Sequence, residues 1–293
     1  MKRFIISTFT LFFVLILNVS AQESLQVVII GAHPDDCEFR ASGTAALYVQ
    51  MGHKVKFVSL TNGNKGHQEM ESAALAARRK GEFEESARRL GLVCEVLDNN
   101  DGELQPTLEN RRKVLSIIRD WGADVVITHR LNDYHPDHRY TSQIVQDAAY
   151  MVGVPLMDKA TQPLSKNPLF VYMQDAFQRP NPFRPDIVID ITSTYEKKLD
   201  ALDAHASQVY EWLPWIDKFP IAVPASPQAR RSDFIYQYVG RRDYMNSEMV
   251  AKLTEQVGWD RASQARKLEA FEICEYGLKP TKEDIVRLFP MIK

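Results

Sequence analysis

The sequence predicts an α/β fold in which a mostly parallel sheet carries helices on both faces, followed by an irregular C-terminal extension. Strand-like and helical stretches alternate through roughly the first 150 residues. The strand-like stretches are continuous β-branched runs, as expected of strands buried on both faces. Short Gly-, Asn- or Asp-containing turns separate them.

The elements follow in order. Leu25-Gln26-Val27-Val28-Ile29-Ile30 reads as a buried strand ended by Gly31, and Ala32-His33-Pro34-Asp35-Asp36 as the loop after it. A helix is expected over 42–51 with Gly52 as C-cap, a second strand over 55–60, and an Asn/Gly-rich loop over 61–66. A long helix over 69–90, closed by Gly91, leads to a short strand over 93–97. A helix over 108–121, a buried strand over 123–128 and a helix from about 140 to 149 complete the alternation. The second half is less regular, with strands expected over 169–173 and 186–191 and a helix over 196–210. Residues 214–227 hold four prolines and are expected to form an ordered, irregular loop. With no repeat, low-complexity segment or linker, residues 22–293 are read as one domain.

Of the 293 residues, 45% are hydrophobic and 25% charged, the balance of a globular protein rather than a disordered one. Lys2 and Arg3 precede the apolar run Phe4 to Val19, which ends at Ser20-Ala21. That order is expected of a secretory signal peptide over residues 1–21, with export to the periplasm or the medium. No later segment is apolar and long enough to span a membrane, so no stable insertion is expected after its removal. Without Lys2 and Arg3 the chain carries 34 basic and 38 acidic residues, a net charge of −4, which gives no reason to expect nucleic acid or an anionic membrane as partner. Three cysteines, Cys37, Cys94 and Cys274, are too few for a disulfide framework.

Two polar, Pro-stiffened motifs follow apolar strands: His33-Pro34-Asp35-Asp36 and His135-Pro136-Asp137-His138. In parallel sheets ligands bind beyond the carboxyl ends of the strands, where both motifs fall. Imidazole and carboxylate are ordinary protein ligands of catalytic zinc, and three of them leave a position for water. A hydrolytic site also needs a base and an oxyanion donor, and the side chains left over after ligation are candidates for both. Four of the seven histidines, His33, His129, His135 and His138, lie near the ends of two expected strands. Two His and one carboxylate suit Zn²⁺ and Fe²⁺ alike.

The paired motifs resemble the PIG-L (LmbE-like) family of zinc-dependent N-acetylglucosaminyl deacetylases. Thr61-Asn62-Gly63, Arg79 with Glu82, Leu90-Gly91, Asp101-Gly102, and the set Lys198, Ala201, His205, Ser207 and Gln208 are similar to further stretches of that family, so the resemblance covers most of residues 25–210. It implies a Rossmann-like domain and removal of the N-acetyl group of an amino sugar by zinc-activated water. It further implies that His33, Asp36 and His138 hold the metal and that Asp35 is the general base. His135 would stabilise the oxyanion as an imidazolium, and Asp137 would orient and charge-support His135. Where the family often has glycine, this chain has Ser42.

Arg79, Asp101 and His205 are candidate substrate-binding residues. The partner expected is a small amino-sugar or glycoconjugate, and a homo-oligomer is compatible with this reading. Two other readings stay open: a zinc amidase acting on another small N-acyl substrate, and a sugar-binding protein without catalysis.

Overall fold

The computed structural model describes residues 24–293. The expected signal peptide lies outside the described residues. Seven strands form one mixed sheet in the order β3-β2-β1-β4-β5-β7-β6. They are β1 (Gln26–Gly31), β2 (Lys54–Thr61), β3 (Val93–Asn99), β4 (Val125–Thr128), β5 (Leu169–Met173), β6 (Ile187–Asp190) and β7 (Leu268–Gly277). β1 to β5 pair in parallel, and β7 lies antiparallel between β5 and β6.

The continuous apolar runs have a direct explanation, because successive side chains of a strand face opposite sides of the sheet. Val27, Ile29, Val55, Phe57, Val125 and Ile127 enter one core. Their alternates Val28, Ile30, Val58, Leu60 and Val126 enter the other. Helices α1 (Asp36–Gln50), α2 (Ser72–Leu90) and α5 (Tyr195–Asp203) pack together, with α1 residues in the first core, while α3 (Leu108–Trp121) and α4 (Pro136–Met151) pair over the second. Each buried Val, Leu or Ile side chain contributes about 1.5–3 kcal/mol, so a polar residue on either face of β1 or β4 would weaken the sheet.

The helices that matter most begin earlier than periodicity suggests. α1 starts at Asp36 and α4 at Pro136, inside the polar motifs themselves. At α4, His135 is the N-cap and its Nδ1 accepts the backbone N–H of Asp137. Pro136 takes the first helical position, where its missing N–H costs nothing, and Asp137 lies in the electropositive first turn.

The helix expected over 196–210 is interrupted. α5 stops at Asp203, and Ser207–Trp212 continue as a wider π-helical turn. In that turn the N–H and hydroxyl of Ser207 both donate to Glu82, at 2.9 and 2.5 Å. Three short helical turns, α6 (Leu213–Ile216), α7 (Pro227–Ala229) and α8 (Ile235–Gly240), lead to α9 (Ser247–Val257), which packs on β6. β7 is not legible from periodicity, because it mixes Glu269, Glu272 and Glu275 into its apolar positions. Cys37, Cys94 and Cys274 are all free. No helix among the described residues is long and apolar enough to cross a membrane.

Candidate metal centre

The strand order places the site. β1 and β4 are neighbours, and the chain runs outward from them in opposite directions, so a crevice opens beyond their carboxyl ends. His33 follows β1 and His129 to His138 follow β4, which brings two motifs a hundred residues apart into one crevice. Gly31 closes β1 against the start of α1. A Cβ there would lie 2.7 Å from Cβ of Asp36, so the helix can begin this close only above a glycine.

His33 Nδ1 lies 3.3 Å from His138 Nε2 and 3.5 Å from Asp36 Oδ2, and His138 Nε2 lies 3.4 Å from Asp36 Oδ1. Tetrahedral ligands about 2.0–2.1 Å from a zinc ion would stand about 3.3–3.4 Å apart. The two nitrogens stand at that spacing and each faces one oxygen of Asp36, so the three side chains suit a divalent metal in donor type. His33, His135 and His138 also present nitrogens within 4.8 Å of one another, as do the donor atoms of Asp36, His129 and His138.

The Asp36 carboxylate folds back on its own turn, where Oδ2 accepts the N–H groups of Ala32 and His33 at 3.0 and 2.8 Å. Burial pushes its pKa up, but the charges of His138 and His129 and hydrogen bonds from His129 and His33 outweigh this and hold it well below the usual range. Burial disfavours the charged form of His33 too, yet hydrogen bonds to Asp101, Asp137 and Asp36 lift its pKa well above the ordinary value. A metal must displace that proton to bind.

Asp35 sits beside this group with φ at 155°, a conformation costly for a non-glycine residue. Desolvation raises its carboxyl to about 6, against the opposing charge of Arg79. Arg79 lies 3.4 Å from Asp35, donates to the carbonyls of Pro34 and Gly63 at 3.2 and 3.1 Å, and is 3.6 Å from Asp101. A Cβ on Gly63, whose φ is +67°, would fall 2.5 Å from the guanidinium, so glycine here makes room for Arg79.

Several expected roles change. The Asp137 carboxylate hydrogen-bonds His33 and not His135, although its charge still opposes the lowering of the His135 pKa. Its Oδ2 is 3.1 Å from His33 Nε2, and its oxygens accept the N–H groups of Gly102 and Leu104 at 2.6 and 3.3 Å. Asp137 occupies the second position of α4, so its side chain turns under the helix start toward β1. His135 is not set up as an imidazolium. Desolvation and the charges of His33 and His138 lower its pKa, and its Nδ1 is already an acceptor, which leaves Nε2–H as its donor. His205 is fully buried, its Nε2 3.0 Å from Glu38 Oε1, and has no surface to offer a substrate. Arg79 is 2% exposed and serves Asp35 rather than a ligand. Asp101 places Oδ1 3.2 Å from His33 Nε2, a second carboxylate behind that ring.

Asp133 escapes the sequence reading, and His129, noted there only for its position, has no role in it. Asp133 Oδ2 lies 3.1 Å from His138 Nδ1, and Oδ1 accepts the N–H of His135. The His33 and His138 rings are thus both backed by carboxylates, an arrangement that fixes ring orientation. His129 stacks on His138 at 4.1 Å, and its Nε2 is 3.1 Å from Asp36. An Asp two residues before a His-Pro motif was the available signal for Asp133. Cys37 points away from the site, with Sγ 3.4 Å from the Ile29 carbonyl, and Ser42 is absorbed into α1 by a 2.7 Å bond to the Glu38 carbonyl.

Residues 28–149 match the family model described as PIG-L, GlcNAc-PI de-N-acetylase. The chain is 28% identical over 207 residues to a diacetylchitobiose deacetylase of Thermococcus kodakarensis, covering 68% of this chain and 76% of the relative. It is 26% identical over 197 residues to a 4-oxalmesaconate hydratase of Pseudomonas putida, covering 63% and 74%. Its fold is similar to that of N,N'-diacetylchitobiose deacetylase from Pyrococcus horikoshii, with a TM-score of 0.63, 24% identity, and coverage of 86% and 84% of the two chains. Both motifs meet at the ends of β1 and β4 inside the matched segment, so it is residues 28–149, with the candidate site they carry, that resemble the PIG-L (LmbE-like) family.

Proposed function

We propose that this protein is a metal-dependent N-deacetylase that removes the acetyl group from an N-acetylglucosamine-type substrate. The observation that carries the reading is the meeting of His33, Asp36 and His138 within 3.3–3.5 Å beside a buried carboxylate, Asp35, raised to about 6. The similarity to a diacetylchitobiose deacetylase supports the substrate class.

His33, Asp36 and His138 would hold the ion. When bound, a divalent metal polarises the amide carbonyl and makes water more acidic. Zinc is proposed as that metal. Asp35 takes the proton of the attacking water, a task suited to a group titrating near neutrality. Neutral His135 directs Nε2–H at the developing oxyanion. As the C–N bond breaks, the proton held by Asp35 passes to the departing nitrogen, giving acetate and a free amine. Export through residues 1–21 belongs to the same proposal, and recovery of protein beginning after Ala21 would support it.

Acetate release from N-acetylglucosamine and its oligomers, with and without a chelator and in Asp35→Asn, tests this reading. Chelator-sensitive release that disappears in Asp35→Asn is the expected result. A second reading, hydration of an unsaturated acid, is favoured by the similarity to the hydratase. No acetate, combined with water addition to such an acid, would replace the first reading with the second.

A further inference from the structure

A groove of about 1150 Å³ reaches the β4–α4 connection at Arg130, Leu131 and Asn132. Its floor is the β5–β7 pair, where Tyr172 stands opposite Glu272. Its walls are α4, through Gln146, and α9, through Glu248 and Lys252. Most of it comes from residues after 149, outside the segment that matches the family model.

Three observations define what it holds. The first is continuity, because Asn132 at one end belongs to the same β4–α4 connection that carries His135. β7 runs antiparallel to β5, with Gly277 opposite Leu169, so Tyr276 marks the other end of the sheet. The groove therefore extends along β5, whose five residues span about 16 Å. The second is size, since its volume exceeds the roughly 300–1,000 Å³ of pockets for single small ligands. The third is chemistry. The polar lining mixes amides (Asn132, Gln146, Gln178) and tyrosines (Tyr172, Tyr276) with charged side chains, among them the carboxylates of Glu248, Glu272 and Glu275. The cations there are already paired: Arg130 with Asp175 and Glu272, Arg184 with Asp186, and Lys252 with Glu255. Planar amides and aromatic faces suit hydroxyl-rich rings, and no free cation awaits a polyanion.

We propose that this groove binds the additional sugar units of an uncharged or amine-bearing oligosaccharide whose terminal N-acetyl group reaches the metal centre. The proposal rests on the deacetylase reading and extends it to a preference for chain length.

The test is the rate of acetate release from N-acetylglucosamine and from its β-linked oligomers up to the pentamer, by the wild type, Asn132→Ala and Tyr276→Ala. In the wild type, kcat/KM should rise with length. Asn132→Ala should lower it from the disaccharide upward, and Tyr276→Ala only for the longest oligomers, by about tenfold and through KM, as expected when binding common to ground and transition states is lost. Equal rates at every length, or losses as large on the monosaccharide as on the pentamer, would overturn the groove and leave the deacetylase reading standing. If no acetylated sugar releases acetate, the deacetylase reading falls. Calorimetric titration of the pentamer into wild type and Tyr276→Ala then decides the groove separately, since binding absent from the wild type or equal in both proteins rejects it.

Discussion

Asp137 holds its carboxylate 3.1 Å from Nε2 of His33, across the gap between α4 and the end of β1. That contact leaves Nδ1 of His33 facing Asp36 and His138. Removing a carboxylate behind a ligand histidine costs roughly 10- to 100-fold in metal affinity. Asp137→Asn should show that loss in a chelator-competition titration. Unchanged affinity with reduced turnover would return Asp137 to the role of supporting His135.

Asp35 gives a prediction about stability in the metal-free protein. Its pKa rises from 3.8 to about 6 on folding, so the folded state binds the proton more tightly than the unfolded chain. Stability is then lost as pH rises between those values, by about 3 kcal/mol. Asp35→Asn removes the ionisation. Urea denaturation of the two metal-free proteins should give similar stabilities below pH 4 and a variant more stable by about that amount above pH 7. Parallel curves across this range would contradict a buried, raised carboxylate.

Metal binding should release a proton from His33. The ring's pKa is lifted well above 6.5 by three carboxylates that outweigh its burial. The stability this contributes to the metal-free protein is fully present below 6.5 and is lost as pH rises through the folded value. Calorimetry of zinc binding in buffers of different ionisation enthalpy should report proton release, and affinity should fall as pH is lowered. Binding independent of buffer and pH would exclude a protonated His33.

Gly63→Ala should disturb catalysis without touching a ligand. The left-handed backbone costs an alanine about 1–2 kcal/mol, and the new Cβ would stand 2.5 Å from Arg79 Nη1. Arg79 must move, which takes charge away from Asp35. A lower thermal midpoint and a lower kcat are expected, with the alkaline shift of the acidic limb that a less compensated carboxylate requires. An unaltered pH profile would show that Arg79 does not set the ionisation of Asp35.

His205→Ala separates packing from substrate contact. The ring is fully buried against Glu38, which is also fully buried. Leaving a buried charge without its partner costs about 3–5 kcal/mol, which chemical denaturation would report. KM of the folded fraction should be unchanged, whereas a raised KM with normal stability would make His205 a substrate residue after all.

What the sequence determined by itself was local. Continuous Val/Ile runs require strands buried on both faces, and residues 26–31 and 125–128 form them as β1 and β4. The two His-Pro-Asp motifs carry their chemistry in their residue types, and their position after strands puts them at one edge of a parallel sheet. What only the tertiary structure decided was direction and pairing. Whether Asp137 hydrogen-bonds His33 or His135 depends on which way a side chain leaves the first turn of α4, and the helix start, at Pro136 and not near residue 140, sets that angle. His205 carries a reactive group by type, but only the packing of α5 against α1 and α2 puts it out of a substrate's reach. Asp133 and His129 join the site for the same reason: a loop's polar residues acquire partners only when two distant strands are brought side by side. Residue type fixes which bonds a group can make, while the distances that select among them exist only in the folded chain.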